Sequence, residues 1–412
     1  MASIKPFKAV RPNSEAAYKV AALPYDVYNR QEAKEAVKDN ELSFLRIDRA
    51  ETQFPDNVNT YAPEVYLKAK EIFEEMVKNG TFITDNDRCY YIYQLSMNGR
   101  KQTGIVACAS IDDYINNVIK KHENTRKEKE KDRIQHIEAL SAQTGPVFLA
   151  YRSQKCINDI VERVISEEKA LYNFTADDGV GHIVWKITGI EDITTIENAF
   201  AAINDIYIAD GHHRAASAVK AGLKKREACK SYDGTEEFNY FLSVLFPDES
   251  LMIMDYNRSV KDLNGLSERE FMDKVNAYFS IVKLDDAKHP SKKGEIAMYL
   301  NKNWYMLTTK KDLIKAKDAV EALDVSVLQD YILDPVLGIK EPRTDPRIDF
   351  IGGIRGLEEL KRRADSDMKV SFALYPVSIA ELFAVADAGY LMPPKSTWFE
   401  PKLRSGLFIH RI

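Results

Sequence analysis

A chain of 412 residues with 58 Lys and Arg against 63 Asp and Glu carries a formal net charge of −5, without the basic excess of a general nucleic-acid binder. Apolar residues make up 45% of it, yet no run of ~18 of them reads as a transmembrane helix, and the length exceeds one average domain. The first eleven residues lack the apolar core of a signal peptide, and four scattered cysteines form no Cys-x-x-Cys pair, so a reduced, cytoplasmic chain with buried thiols is expected.

Residues 4–12 read as extended, because Pro6 and Pro12 disfavour helix. The turn Pro24-Tyr25-Asp26-Val27 holds an acidic side chain near the N-terminus. Asp26 there is a candidate general base or metal ligand, or the cap of a helix starting near Gln31. Helices are predicted over 31–39 and 63–79, the second ended by Gly80. Strand-like runs at 89–97 and 101–110 are joined by Asn98-Gly99, a strong hairpin signal. Between Ile119 and Arg133 the chain is crowded with charge. The segment 127–131 reads as a solvated helical face, whereas His122, Glu123, Thr125 and Arg133 are more varied. Glu123 is a second candidate base, and His122, Thr125 and Arg133 are candidates for phosphate. The alternative is a helix cap with local salt bridges of little energetic weight. Strands follow at 146–152 and 182–187, and helices at 158–169 and 196–203.

The run Ile206-Tyr207-Ile208-Ala209 reads as a buried strand. It breaks at Asp210-Gly211 and passes through His212, His213 and Arg214 into Ala-rich sequence that reads as a helix, with Gly222 as its expected stop. A strand handing over to a helix N-terminus presents unpaired N–H groups and the positive end of the dipole, which suits phosphate. Gly211 permits close backbone approach and a positive φ. Asp210 offers a site for a divalent cation, and Arg214 a bidentate contact to phosphate or carboxylate. The adjacent histidines diverge and have no third nitrogen or sulfur ligand nearby, so this is not a zinc pattern. Capping by Asp210 alone would leave two adjacent histidines unexplained.

Past the motif, 239–246 and 251–256 are predicted as a second hairpin, with Arg258 just beyond. From about 263 the pattern continues as helix, strand, a hairpin at 297–300 and 304–308 turning at Lys302-Asn303, and a helix at 325–333. A strand at 348–353 enters Gly352-Gly353, then helix 357–364, strand 370–375 and helix 379–388. The tail 392–402 combines three prolines with Lys395, Ser396, Thr397 and Lys402. Those lysines and hydroxyls can grip phosphate while Trp398 or Phe399 stacks on a base; a rigid clasp with solvated lysines is the alternative. Residues 407–411 look like a closing strand.

Asp-Gly-His-His-Arg between a strand and an Ala-rich helix resembles the motif of the ParB/sulfiredoxin-like superfamily, whose members include partition proteins, sulfiredoxin and free-serine kinases. The sulfiredoxin cysteine is replaced by His212 or His213, so sulfinic-acid reduction is not expected, and the motif looks most like that of the serine kinases. Over its whole length the chain also resembles the family called domain of unknown function 1015, through Pro24-Tyr25-Asp26-Val27, His122-Glu123-Asn124-Thr125 with Asp132-Arg133, the central motif and 392–397. Alternating helices, hairpins and isolated strands suggest an α+β fold with mixed sheets, and the resemblance implies a ParB/sulfiredoxin-like nucleotide-binding core with an additional α/β domain. The expected regions are 1–150, 151–262 and 263–412.

No GxGxxG, Walker A or GxSxG motif is present. The resulting expectation is a kinase that phosphorylates a small hydroxyl compound, free L-serine by resemblance, from ATP or ADP with Mg²⁺. Asp210, with Mg²⁺, and His213 would position phosphate, Gly211, His212, Arg214 and Lys395 would cradle it, and Asp26 or Glu123 would take the hydroxyl proton. A nucleotide-binding regulator and a metal-dependent phosphohydrolase are the alternatives. No membrane or nucleic-acid partner is expected, and a homodimer is left open.

Overall fold

The computed structural model describes residues 1–310 and 316–412. They divide into two compact units, Met1–Leu251 with Pro401–Ile412, and Met252–Glu400. The division expected at residue 150 does not separate units, because strands from both sides of it share one sheet.

In the first unit the elements are β1 (Ile4–Lys5), α1 (Arg30–Val37), α2 (Pro63–Lys78), β2 (Tyr90–Met97), β3 (Arg100–Ser110), β4 (Ile119–Lys120), α3 (Lys127–Leu140), β5 (Val147–Tyr151), α4 (Lys155–Glu167), β6 (Tyr172–Thr175), β7 (Gly181–Ile187), α5 (Ile190–Ala201), β8 (Ile206–Asp210), α6 (His212–Ala228) and β9 (Tyr240–Pro247). The sheet runs β4-β8-β5-β9-β3-β2-β7-β6, with β1 on β3. It is mixed: β8 is parallel to β4 but antiparallel to β5, and β9 is parallel to β5 but antiparallel to β3. The β2–β3 hairpin turns at Asn98 and Gly99 with φ of 52° and 78°, as the tight primed turn requires.

Ile208 and Leu149 of the central strands, with Ile105, Phe241 and Ala215, belong to one buried apolar cluster under the helices. A second cluster gathers Phe44, Ile47, Phe73 and Phe82 around α2. Helix α1 is capped by Asn29, whose side chain accepts from the Glu32 amide while Glu32 reaches back to the Asn29 amide. Asp26 is therefore not the cap, and stands free for another role. Gly222 does not end α6, which runs on to Ala228. A Cβ at Gly222 would lie 2.4 Å from the Phe238 carbonyl oxygen; the glycine is there for close packing. The hairpin expected at 239–256 is absent too, since β9 pairs with β3 and β5.

The second unit contains β10 (Tyr256–Val260), α7 (Glu268–Tyr278), β11 (Phe279–Leu284), β12 (Glu295–Leu300), β13 (Asn303–Thr309), β14 (Ile348–Gly352), α8 (Gly356–Ser366), β15 (Val370–Leu374) and α9 (Ile379–Asp387). Its sheet, β11-β13-β12-β15-β10-β14, is antiparallel throughout. The β12–β13 turn uses Asn301 and Lys302, both with positive φ, one residue earlier than expected. The fold is thus α+β, with one mixed and one antiparallel main sheet. Cys89 and Cys108 are buried, but Cys156 is exposed, contrary to the expectation of buried thiols throughout; all four are free. Among the described residues no helix is long and apolar enough to cross a membrane.

Candidate functional site

Strand β8 loses register between Ile208 and Asp210, so the chain leaves the sheet at Asp210. Gly211, at φ +94°, then turns it into α6. Glycine is needed twice over: the left-handed conformation disfavours a side chain, and a Cβ would lie 3.0 Å from the Arg214 guanidinium. Arg214 folds back over that turn, donating through Nη1 to the Pro146 carbonyl and through Nη2 to Asp210 Oδ2 at 3.4 Å. Lys402 Nζ approaches the same oxygen at 3.6 Å. Burial opposes ionisation of Asp210, but Lys402, Arg214 and the neighbouring His212 hold its carboxyl well below the usual range.

The two histidines of the motif are held by the loop before α3. His212 is buried, and its Nε2 accepts from the His122 amide at 3.4 Å, while its Nδ1 lies 3.9 Å from Glu123 Oε2. His213 Nε2 accepts from the Arg126 amide at 3.0 Å. Burial pulls the His212 imidazole down to about 4, against the opposing pull of Asp210. Burial also lowers His213, opposed by Asp26 first and then Glu123 and Glu130. Both candidate bases therefore stand near enough to His213 to act on its charge. Both imidazoles are neutral at pH 7, and each uses Nε2 as an acceptor, so the proton sits on Nδ1.

His122 is the anomaly of this site. It is 1% exposed, its ring meets the His212 ring edge-to-face at 4.4 Å, and among the described residues neither ring nitrogen makes a well-formed hydrogen bond, the Ile208 carbonyl acting on it only weakly. Burial and the adjacent His212 push it down to about 3. A buried polar group left without a partner costs about 1–3 kcal/mol. That unsatisfied imidazole stands against His212, the first residue of the 17-residue helix α6.

The remaining predicted residues are distributed as follows. Thr125 Oγ1 donates to Glu130 Oε1, and Lys220 Nζ donates to Glu130 Oε2. Glu130 is thus a buried anchor and not part of a solvated face, and Thr125 is engaged in holding the loop. Arg133 is buried, donates from Nε to Asp132 Oδ2 at 3.0 Å, and lies 4.0 Å over the Tyr25 ring. Asp26, exposed, sits on the next residue, in a turn fixed by Arg49, whose Nη1 donates to the Tyr25 and Tyr28 carbonyls at 2.9 and 2.6 Å. Lys395, Ser396 and Thr397 belong to the second unit. Ser396 Oγ donates to the Pro393 carbonyl at 2.6 Å; its hydroxyl serves the loop.

Two buried polar residues that the sequence did not single out, His136 and Asp48, complete the site beside Asp132. His136 Nε2 stands 3.1 Å from the Ile47 carbonyl and 3.8 Å from Asp48 Oδ1. Asp48 accepts from Thr144 Oγ1 at 3.0 Å, and Asp132 from the Tyr66 hydroxyl at 2.9 Å. With Tyr25, Asp26 and Arg133 they line a cleft of about 240 Å³. Tyr25, Asp48, Arg133 and His136 also line a smaller hollow that reaches Arg214. The spacing 132, 133 and 136 on one helix is the signal that would have pointed to His136; Asp48 had none.

Asp210 is the one carboxylate at the strand end, and it is already flanked by two cations. Among the described residues no group of three or more His, Cys, Asp or Glu side chains is arranged to hold a metal. The residues present do not form a magnesium cage, and the arrangement is one for an oxyanion: helix amides, a guanidinium, and neutral imidazoles.

No curated protein matches the chain. Solved structures that resemble it include SbnI from Staphylococcus aureus, C-terminally truncated, at 12% identity over 73% of this chain and 85% of that one, TM-score 0.38. A free serine kinase in complex with AMP is 13% identical over 73% and 91% of the two chains, TM-score 0.35. A conserved hypothetical protein from Pyrococcus furiosus is 14% identical over 74% and 94%, TM-score 0.33. The family model described as "Protein of unknown function (DUF1015)" matches residues 4–326, a span that holds β8, α6 and every lining residue of the cleft named above. The chain belongs to the DUF1015 family.

Proposed function

We propose that this chain is a nucleotide-dependent kinase that transfers a phosphoryl group to the hydroxyl of a small metabolite, free L-serine by the likeness of its motif to those of the serine kinases. The observation that carries the reading is His122: a buried imidazole with two unsatisfied nitrogens beside the N-terminus of α6, next to Asp210, His212, His213 and Arg214. A phosphate placed there would take the helix amides and the Arg214 guanidinium, and would give His122 the partner it lacks.

Phosphoryl transfer asks the protein mainly for positioning and charge stabilisation. Arg214 supplies fixed positive charge close to the helix N-terminus, and Lys402 adds a second cation across Asp210. His213, neutral and held through Nε2, keeps its proton on Nδ1, where it can serve as a donor. Asp26 would accept the proton of the substrate hydroxyl. It is favoured over Glu123 because it acts more strongly on His213 and because Arg49 fixes the turn that carries it. The cleft beside Tyr25 and Arg133 would take the acceptor. The donor is ATP or ADP.

The test is phosphorus NMR of the purified chain with Mg²⁺, L-serine and either nucleotide. A phosphomonoester signal that requires both serine and protein, and disappears in His213→Ala, supports the kinase and identifies the donor. Free phosphate formed without serine would mean a hydrolase, and nucleotide binding without turnover a regulatory binder.

A further inference from the structure

Four arginines are buried among the described residues: Arg11, Arg133, Arg258 and Arg404. Three are paired with carboxylates. Arg11 meets Asp85 at 2.8 Å, Arg133 meets Asp132 at 2.9 Å, and Arg404 meets Asp178 at 2.5 Å. Arg258 on β10 is the most buried of them, at 2% exposure, and has no carboxylate partner among the described residues. Its Nη1 donates to the Tyr256 carbonyl and its Nη2 to the Pro394 carbonyl at 3.1 Å, with the guanidinium 5.2 Å from the Phe350 ring centroid. Carbonyls satisfy hydrogen bonds but leave the charge uncompensated, and a buried charge without a counter-ion is costly. Burial alone drags this guanidinium down to about 9.

The residue after Pro394 adds a second cation. Lys395 sits at φ 57°, a left-handed conformation that a lysine seldom adopts, and its ammonium stands 5.4 Å from the Tyr256 ring centroid. Strained backbone of this kind persists where a ligand clamp needs it. Lys395, too, has no acidic partner among the described residues. Two adjacent cations with no acid between them, one buried and one exposed, on a loop stiffened by Pro393 and Pro394, ask for a dianion. A phosphate group at pH 7 carries nearly two negative charges and three acceptor oxygens.

We propose that Arg258 and Lys395 form a phosphate-binding site within the second unit, which takes a phosphate monoester or free orthophosphate. It is independent of the kinase reading, since every residue in it lies outside the first unit.

The experiment is calorimetric titration of the full chain with orthophosphate. The Arg214→Ala protein, impaired at the motif, should still bind one phosphate per chain. Adding Lys395→Ala should weaken that binding by about tenfold, the worth of one charge-assisted contact, and adding Arg258→Gln should abolish it. No phosphate bound by Arg214→Ala, or binding unchanged by the exposed and structurally innocuous Lys395→Ala, would overturn the site even if Arg258→Gln failed to fold. AMP that displaces the bound orthophosphate from Arg214→Ala would identify the ligand as a nucleotide's phosphate; failure of AMP to displace it would identify free phosphate.

Discussion

Substituting Gly211 by alanine separates two effects that meet in one turn. The residue holds φ +94°, and its new Cβ would stand 3.0 Å from the Cζ, Nε and Nη2 of Arg214. The left-handed conformation costs alanine roughly 1–2 kcal/mol, offset by about 0.4–1 kcal/mol from the stiffer unfolded chain. Arg214 must then move, and its hydrogen bonds to the Pro146 carbonyl and Asp210 are worth on the order of 1.5–3 kcal/mol each when intact. Gly179→Ala is the matched control: it has φ +79° with nothing within 4 Å of the new Cβ, so only the backbone cost applies. Gly211→Ala is therefore expected to lose about 2–3 kcal/mol more than the control, which at roughly 2–4 °C per kcal/mol for a unit of this size is a clear shift in Tm. Calorimetric unfolding and an ADP titration read both consequences. Equal Tm losses in the two variants, together with an unchanged ADP dissociation constant, would refute the role given to the turn and to Arg214.

Other expectations follow from the same geometry. His213→Ala should abolish phosphoryl transfer while leaving the circular-dichroism spectrum and Tm close to wild type, because among the described residues its ring bonds the Arg126 amide alone; retained turnover would remove it from the mechanism. Asp26→Asn should lower kcat by about 10²–10⁴-fold, the range of a general base, with Glu123→Gln far milder; the reverse order in steady-state kinetics would transfer the role to Glu123. Stability should depend on acid. His122 and His212 titrate near 3 and 4 in the fold, against 6.5 unperturbed, so between those values the unfolded chain binds more protons. Stability is then complete above pH 6.5 and falls as pH drops toward 4, by on the order of 3 kcal/mol for His212 alone. Urea unfolding at pH 7.0 and 4.5 measures this, and identical free energies would show that these imidazoles are not buried neutral.

The central motif was legible because its chemistry is local. A β-branched run, a glycine that must turn left-handed, and an Ala-rich continuation are adjacent in the chain, and β8 and α6 form where that pattern places them. Asn98-Gly99 is local in the same sense. Gly222 misled because a glycine inside a helix and one beyond its end look alike until the Phe238 carbonyl is seen against it. The hairpin expected at 239–256 failed because alternation identifies a strand but not its neighbour, and β9 finds its partners in β3 and β5, where Tyr240 pairs with Ser110 and Ser243 with Val147, far away in the chain.

The cleft shows the division most clearly. Sequence by itself determined that Asp210, Gly211, His212, His213 and Arg214 stand together at a helix N-terminus, since residues so close in the chain cannot be separated. Only the tertiary structure decided that His122 is buried without a well-formed hydrogen bond to its ring, that Asp48 and His136 stand near Arg133, and that, among the described residues, Arg258 lacks the carboxylate the other buried arginines have. Burial and pairing arise between segments remote in sequence, and the desolvation that makes an unpaired group informative exists only once those segments have packed.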